Sequence, residues 1–278
     1  MNLSDKSELI KYLKENYLLP KKGMGQNFLV DESALNKIVD AADIQLTDTV
    51  LEIGPGLGVL TDRLIEKADK VIAVEKDDRL SILLTSKYQI SIEKQNDKIQ
   101  IINADILDTD SNKLMPSSYK LIANIPYYIT GRIFKKFLEA QNKPEIIVML
   151  VQKEVAERIV AKVGKMSVLA VSVQCHGEPE IVDIIKADSF FPSPNVDSAI
   201  LKVRVEERKW QVDEKDFMRC VKHGFASKRK TLINNLSAGY QLEKNKIEDI
   251  IVSVGLNKNV RAQELSLDDW EKISKKFV

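Results

Sequence analysis

From Thr49 onward the chain alternates short apolar runs with segments whose apolar residues recur at helical spacing. The runs Val50–Ile53, Val71–Val74, Ile99–Ile102, Leu121–Ala123 and Ile146–Val151 are nearly continuous in apolar residues, the pattern of parallel strands buried on both faces. Helical patterns lie between most of them, for example Leu60–Lys67, Arg79–Lys87 and Arg132–Leu138. This alternation predicts a doubly wound α/β sheet. Two later runs, Ile181–Ile185 and Ala199–Val205, have no clear helix between them and predict an antiparallel hairpin closing one edge of the sheet. Past Val205 the strand pattern stops. Short helices are predicted near Asp216–Phe225, Lys230–Leu236, Ile247–Val254 and Leu267–Phe277, punctuated by Gly239 and Gly255. The expected division is a sheet domain over residues 1–205 and a small all-α domain over 206–278. Ahead of the sheet, Leu9, Ile10 and Leu13 mark a helix, Pro20–Gly25 a loop, and Asp31 the cap of a helix with the stripe Leu35, Ile38, Val39 and Ala42.

Composition narrows this picture. A chain of 278 residues with 44% hydrophobic and 30% charged residues can build a sizeable core under a charged surface. No apolar run approaches the roughly 18 residues of a membrane span. The start, Met1-Asn2-Leu3-Ser4-Asp5-Lys6, lacks the layout of a secretory signal. A cytoplasmic protein without membrane attachment is expected, and a monomer. Cys175 and Cys220 have no metal-ligand spacing and read as reduced thiols. With only His176 and His223 present, a multi-histidine metal site is excluded, and no metal is expected. A net charge of +1 says little about nucleic acid, because Lys222, Lys228, Arg229 and Lys230 cluster within nine residues with no acid between them.

The chemistry starts at Leu51-Glu52-Ile53-Gly54-Pro55-Gly56-Leu57-Gly58, three glycines between a strand and a helix. Glycines let backbone approach a ligand closely, and the helix start offers free N–H groups. Such a turn alone is also what an ordinary tight βα connection looks like. Glu75, at the end of the next strand, is placed to accept hydrogen bonds from ribose hydroxyls and favours a nucleoside site. Asp105, just past the following strand, suits a carboxylate accepting from an adenine amine, or a helix cap.

Strand Leu121–Ala123 runs into Asn124-Ile125-Pro126-Tyr127, at the end where ligands bind in open α/β sheets. The exocyclic amine of a base such as adenine is a poor nucleophile, because its lone pair is delocalised into the ring. Acceptors on its two protons favour the pyramidal form needed to attack a sulfonium methyl. The Asn124 side chain and the Ile125 carbonyl can supply them, Pro126 limits the freedom of the loop, and Tyr127 can stack on the base. The same tetrapeptide also suits an Asx-type turn with a core tyrosine. Positioning and polarisation suffice for this transfer, so neither a metal nor a dedicated base is called for.

With these residues the chain resembles the ribosomal RNA adenine N6,N6-dimethyltransferases, whose bacterial members confer kasugamycin sensitivity. The resemblance runs through Gly25-Gln26-Asn27-Phe28-Leu29, Gln152–Arg158, Phe190–Ser198 and Lys228–Leu236 as well as the positions above. It implies a Rossmann-like class I S-adenosylmethionine-dependent methyltransferase sheet with a small C-terminal all-α domain. Asn27, Leu29, Gly54, Gly56, Glu75, Asp105 and Asn124 would contact S-adenosylmethionine, and Phe191 would form a second wall of the base pocket. With the resemblance, Lys222, Lys228, Arg229 and Lys230, joined by Arg132, become the candidate surface for RNA phosphates, where the charge run alone suits a solvated helix face equally well. The implied substrate is a pair of adjacent adenines in a hairpin loop near the 3′ end of small-subunit rRNA, each receiving two methyl groups, with the 30S subunit or its precursor as partner. The chain departs from the common pattern in having Ile125 for leucine and Asn195 for a basic residue, and in a longer segment before Lys21.

Other readings compete. A nicotinamide dehydrogenase needs the spacing G-x-G-x-x-G and a catalytic His or Tyr-Lys pair, neither of which is evident. A retired methyltransferase kept as an RNA-binding assembly factor is disfavoured by Glu75, Asp105, Asn124 and Tyr127. The large-subunit rRNA adenine methyltransferases of the macrolide-resistance type share the reaction centre and remain the alternative target class.

Overall fold

In the computed structural model, residues 3–92, 98–115, 117–206, 208 and 210–278 are described. The strands are β1 (Phe28–Leu29), β2 (Thr49–Ile53), β3 (Lys70–Glu75), β4 (Ile99–Asn103), β5 (Lys120–Asn124), β6 (Ile146–Gln152), β7 (Gly177–Ile185), β8 (Phe190–Phe191) and β9 (Ser198–Val205). The helices are α1 (Lys6–Glu15), α2 (Glu32–Ala41), α3 (Val59–Lys67), α4 (Asp78–Ile92), α5 (Ser111–Leu114), α6 (Thr130–Leu138), α7 (Lys153–Ile159), α8 (Val168–Gln174), α9 (Glu214–Gly224), α10 (Leu232–Tyr240), α11 (Lys244–Ser253) and α12 (Leu267–Ser274).

One sheet has the order β4-β3-β2-β5-β6-β9-β7. Strands β2 to β6 pair in parallel, and β9 runs antiparallel to β6. This is the doubly wound α/β sheet that the pattern predicts, in the Rossmann-like form that the resemblance implies. The strand order reverses between β2 and β5, which lie side by side with Ile53 opposite Ala123. Gly54 and Asn124 therefore leave the sheet together, at the switch point where open α/β sheets bind ligands. Val50, Val71, Ile122, Val148 and Ile200 pack under Leu35, Ile38 and Val39 of α2 and Leu60 and Leu64 of α3. Their neighbours Leu51, Leu121, Ile147 and Met149 are as fully buried, which explains why the strands read as continuous apolar runs.

The two later runs, β7 and β9, are neighbours at one edge of the sheet, as expected. Strand β9 sits between β6 and β7, and the connection between β7 and β9 contains β8. Residues Phe190 and Phe191 of β8 pair with Leu29 and Phe28 of β1 in a separate two-stranded sheet, too short to show a period in sequence.

The chain divides into two compact units, 1–156 with 180–205 and 157–179 with 206–278. The sequence expectation has a single boundary near Val205, whereas residues 157–179 group with the helical unit. The reason is apolar packing: Ala170, Val171 and Cys175 share a cluster with Phe217, Cys220, Leu236 and Trp270. Helix α8 has no counterpart among the predicted elements; Ser167 caps it, its hydroxyl accepting the Ala170 N–H at 3.1 Å. In α10 the helix starts at Leu232 rather than Lys230 and runs past Gly239 to Tyr240. Among the described residues no helix is long and apolar enough to cross a membrane.

The N-terminal segment is integral to the first unit. Asp5 caps α1 by accepting the N–H groups of Ser7 and Glu8 at 2.9 Å. Its buried face, Leu9 and Leu13, packs with Leu57 of the glycine turn and Leu80 of α4. Replacing a fully buried leucine by alanine costs about 2–5 kcal/mol. Leu9→Ala is therefore expected to lower the unfolding free energy by that amount in urea denaturation; a loss near zero would mean that α1 is not docked on the glycine turn.

Candidate functional site

Three loops converge at the carboxyl end of the sheet. Gly54, Gly56 and Gly58 all hold positive φ, at 71°, 63° and 77°. A Cβ on Gly54 would lie 3.4 Å from the Asn124 carbonyl oxygen and 3.3 Å from the Ile125 side chain. A Cβ on Gly25 would lie 3.0 Å from Pro126. The glycine turn and the segment before β1 thus pack closely on the Asn124–Tyr127 loop, at positions whose positive φ favours glycine.

Glu75, only 6% exposed, ends β3 inside this convergence. Its two oxygens accept the backbone N–H groups of Gly56 at 3.1 Å and Asp77 at 2.8 Å. Burial pushes its carboxyl upward in pKa, and these two N–H groups pull it back. The Asn103 side-chain amide and the Ala104 N–H both donate to the Glu75 carbonyl at 3.0 Å, holding the end of β4 against that of β3. Past β4, Asp105 accepts from Lys76 at 2.7 Å and from the Leu107 N–H at 2.9 Å. Lys76 holds its carboxyl below the ordinary range.

One cavity is lined by Asn27, Leu29, Gly54, Gly56, Glu75, Asp105, Asn124, Ile125, Pro126 and Tyr127. All the residues predicted for the cofactor site and the reacting loop are therefore brought together. Leu29 reaches the cavity from the apolar core, where it is 4% exposed. Phe191 is placed differently. It pairs with Phe28 and packs into the cluster of Leu9, Leu57 and Leu80, outside the cavity lining. Lys222, Lys228, Arg229 and Lys230 belong to the helical unit, where all four are exposed and, among the described residues, none forms an ion pair. Their turn is stapled by buried Asn235, whose amide donates to the carbonyls of Gly224 at 2.6 Å and Ser227 at 3.0 Å.

Several site residues escaped the sequence reading. The Tyr127 hydroxyl and the fully buried Ser198 hydroxyl lie 2.5 Å apart, which fixes the ring of Tyr127 in the cavity wall. Ser198 falls within one of the family-like stretches, but no local pattern links it to a residue 71 positions away. Asp77 is buried and accepts from Arg79 at 2.7 Å, Gln26 at 3.0 Å and Lys21 at 3.3 Å. Arg79 first, and then Gln26 and Lys21, hold its carboxyl well below the usual range. This clasp fastens the segment before β1 over the Glu75 loop. Glu52, 1% exposed beneath the glycine turn, accepts the Thr61 hydroxyl at 2.6 Å.

A family model described as ribosomal RNA adenine dimethylase matches residues 19–278. The chain is 43% identical over 268 residues to the ribosomal RNA small subunit methyltransferase A of Dehalococcoides mccartyi, covering 95% of this chain and 90% of that one. With the protein of the same name from Streptococcus mutans it shares 37% identity over 289 residues, covering 99% and 97%. The fold is similar to the crystal structure of a dimethyladenosine transferase from Plasmodium falciparum, with TM-score 0.78, 26% identity and coverage of 90% and 97%. It is also similar to the 23S rRNA methyltransferase ErmE, with TM-score 0.71, 26% identity and coverage of 90% and 98%.

Burial, with the charges of Asp62 and Glu75 adding to it, pushes the Glu52 carboxyl up to about 8, against the pull of Thr61 and Lys87. The folded protein then keeps a proton that the unfolded chain releases above its ordinary value of 4.5. Glu52's contribution to stability is full below that value and is lost as pH rises towards about 8. Glu52→Gln is expected to flatten the fall in denaturation midpoint across this window. An unchanged pH profile would show that Glu52 is ionised in the fold.

Proposed function

The chain belongs to the ribosomal RNA adenine dimethylase family, and on that premise we propose that it transfers methyl groups from S-adenosylmethionine to the N6 amines of two adjacent adenines near the 3′ end of small-subunit rRNA. The observation that carries the reading is the meeting of the glycine turn, Glu75 and the Asn124–Tyr127 loop on one cavity. The relatives at 36–43% identity bear small-subunit names, which supports this target over an adenine of large-subunit rRNA. The working site is the cytoplasm, on the 30S subunit or its precursor, and the enzyme acts as a monomer.

The residues present fit the methyl donor. Gly54 and Gly56 leave a cradle without Cβ atoms, Glu75 offers a buried acceptor already aimed by two N–H groups, and Asp105 offers a second acceptor for an adenine amine. When bound, S-adenosylmethionine supplies a methyl group on a sulfonium, an electrophile that needs no activation by the protein. The protein's task is to make the amine a nucleophile and aim it. The Asn124 side-chain oxygen and the Ile125 carbonyl accept hydrogen bonds from the amine's two N–H groups, which localises the lone pair on nitrogen, and one of these protons is lost to water once the methyl group has been transferred. Pro126 and the close contact with Gly25 and Gly54 hold those acceptors in place, which is positional catalysis. Tyr127, tethered through Ser198, presents its ring to the base. A loop adenine is cheap to unstack into such a pocket.

The test is transfer of labelled methyl from S-adenosylmethionine to under-methylated small subunits, with the modified nucleotides mapped. Two adjacent doubly methylated adenines are expected; label confined to large-subunit rRNA would move the target, and no label in adenine would overturn the reading. Asn124→Ala is expected to reduce transfer at least a hundredfold with an unchanged melting temperature, the scale of losing one transition-state acceptor. Near-normal turnover would remove the polarising role. Neutralising Lys228, Arg229 and Lys230 together is expected to weaken subunit binding and to make the slope of log affinity against log salt shallower by roughly 2. An unchanged slope would exclude this turn from the RNA surface.

A further inference from the structure

The rim of the cavity carries residues that the methyl-transfer chemistry leaves unused. Tyr128 is 70% exposed, and its ring runs alongside Gly25, with Cε1 3.6 Å from where a Cβ on that glycine would stand. Arg132 and Lys76, both exposed, line the same cavity. Lys76 reaches Asp105 at 2.7 Å. An aromatic ring and two cations thus share the mouth of one pocket.

Tyr127 and Tyr128 follow each other in the single 3-10 turn Tyr127–Ile129. With three residues per turn, adjacent side chains there point about 120° apart. Tyr127 is committed to the wall by Ser198, so Tyr128 is the ring turned towards solvent. A lone exposed tyrosine would need no explanation. This one lines the cavity together with two exposed cations, Lys76 and Arg132.

Drawing an adenine out of a loop strips its neighbour of a stacking partner. We propose that Tyr128, with Arg132 and Lys76, forms the subsite for the nucleotide beside the target adenine. The ring stacks on the flanking base, and the two cations take the adjoining phosphates. The inference rests on the adenine-methylation reading and extends it. A single cavity then serves two adjacent adenines, one held for transfer while the other is parked on Tyr128.

Base–aromatic stacking of this kind corresponds to roughly 5- to 100-fold in affinity. The test is steady-state methyl transfer to under-methylated small subunits by wild type, Tyr128→Ala and Tyr128→Phe, with S-adenosylmethionine affinity measured separately by calorimetry. Tyr128→Ala is expected to lower kcat/KM for subunits by that factor, chiefly through KM. Tyr128→Phe, which keeps the ring, recovers most of the loss, and the cofactor Kd stays constant throughout. An unimpaired Tyr128→Ala, a Phe variant as weak as the Ala variant, or a parallel fall in cofactor affinity would each overturn the subsite while leaving the methylation reading intact. A wild type that transfers nothing to adenine would overturn that reading, and the subsite with it.

Discussion

Close packing of Gly25 and Gly54, both in the left-handed backbone region, on the Asn124–Tyr127 loop defines the carboxyl end of this sheet, and the rest of the site is arranged around that approach. A Cβ on Gly25 would stand 3.0 Å from the Pro126 side chain and one on Gly54 3.3 Å from that of Ile125, tight contacts at positions whose positive φ itself disfavours a side chain. Because β2 and β5 are adjacent while their following segments diverge, the sheet itself delivers Gly54 and Asn124 to this point. Glu75 braces the glycine turn, accepting one N–H of that turn and one of the segment after β3. The carboxylate is therefore oriented before any ligand arrives, and orientation fixed in advance costs nothing at the moment of binding.

The segment before β1 is held on this platform by two unlike forces. Leu9 and Leu13 dock by apolar burial on Leu57 and Leu80, while Lys21 and Gln26 are fastened by Asp77. A buried carboxylate with three donors is strongly favoured in its charged form, so the clasp loses its partners only at a substantial cost. The longer start of the chain, which composition leaves without a role, thereby becomes part of the wall around the cavity.

Much of the fold was legible because parallel strands buried on both faces leave long aliphatic runs, and Val50–Ile53 or Ile146–Val151 admit few other readings. The glycine turn, Glu75 and Asn124 were legible because their chemistry is local to the ends of those strands. What escaped notice depends on contacts between distant segments. Ser198 acts on Tyr127 across 71 positions, and the two-residue strands β1 and β8 exist only through each other. Helix α8 carries no apolar period of its own in the sequence, being a short run buried on several sides and capped by Ser167. Phe191 was assigned to the pocket by resemblance, and its pairing with Phe28 takes it into the neighbouring apolar cluster.

The helical unit is assembled from two separated stretches of chain, 157–179 and 206–278. During synthesis, α8 leaves the ribosome well before the helices that bury Ala170 and Val171 exist. At about 5–20 residues per second, the stretch up to Trp270 takes on the order of ten seconds to make. For that interval a short apolar helix waits for its partners while the sheet strands on either side of it, β6 and β9, seek each other. The order of translation thus asks the sheet to close around an unfinished insertion. A cut at Val205, natural as it looks in the linear pattern, would strand that insertion permanently.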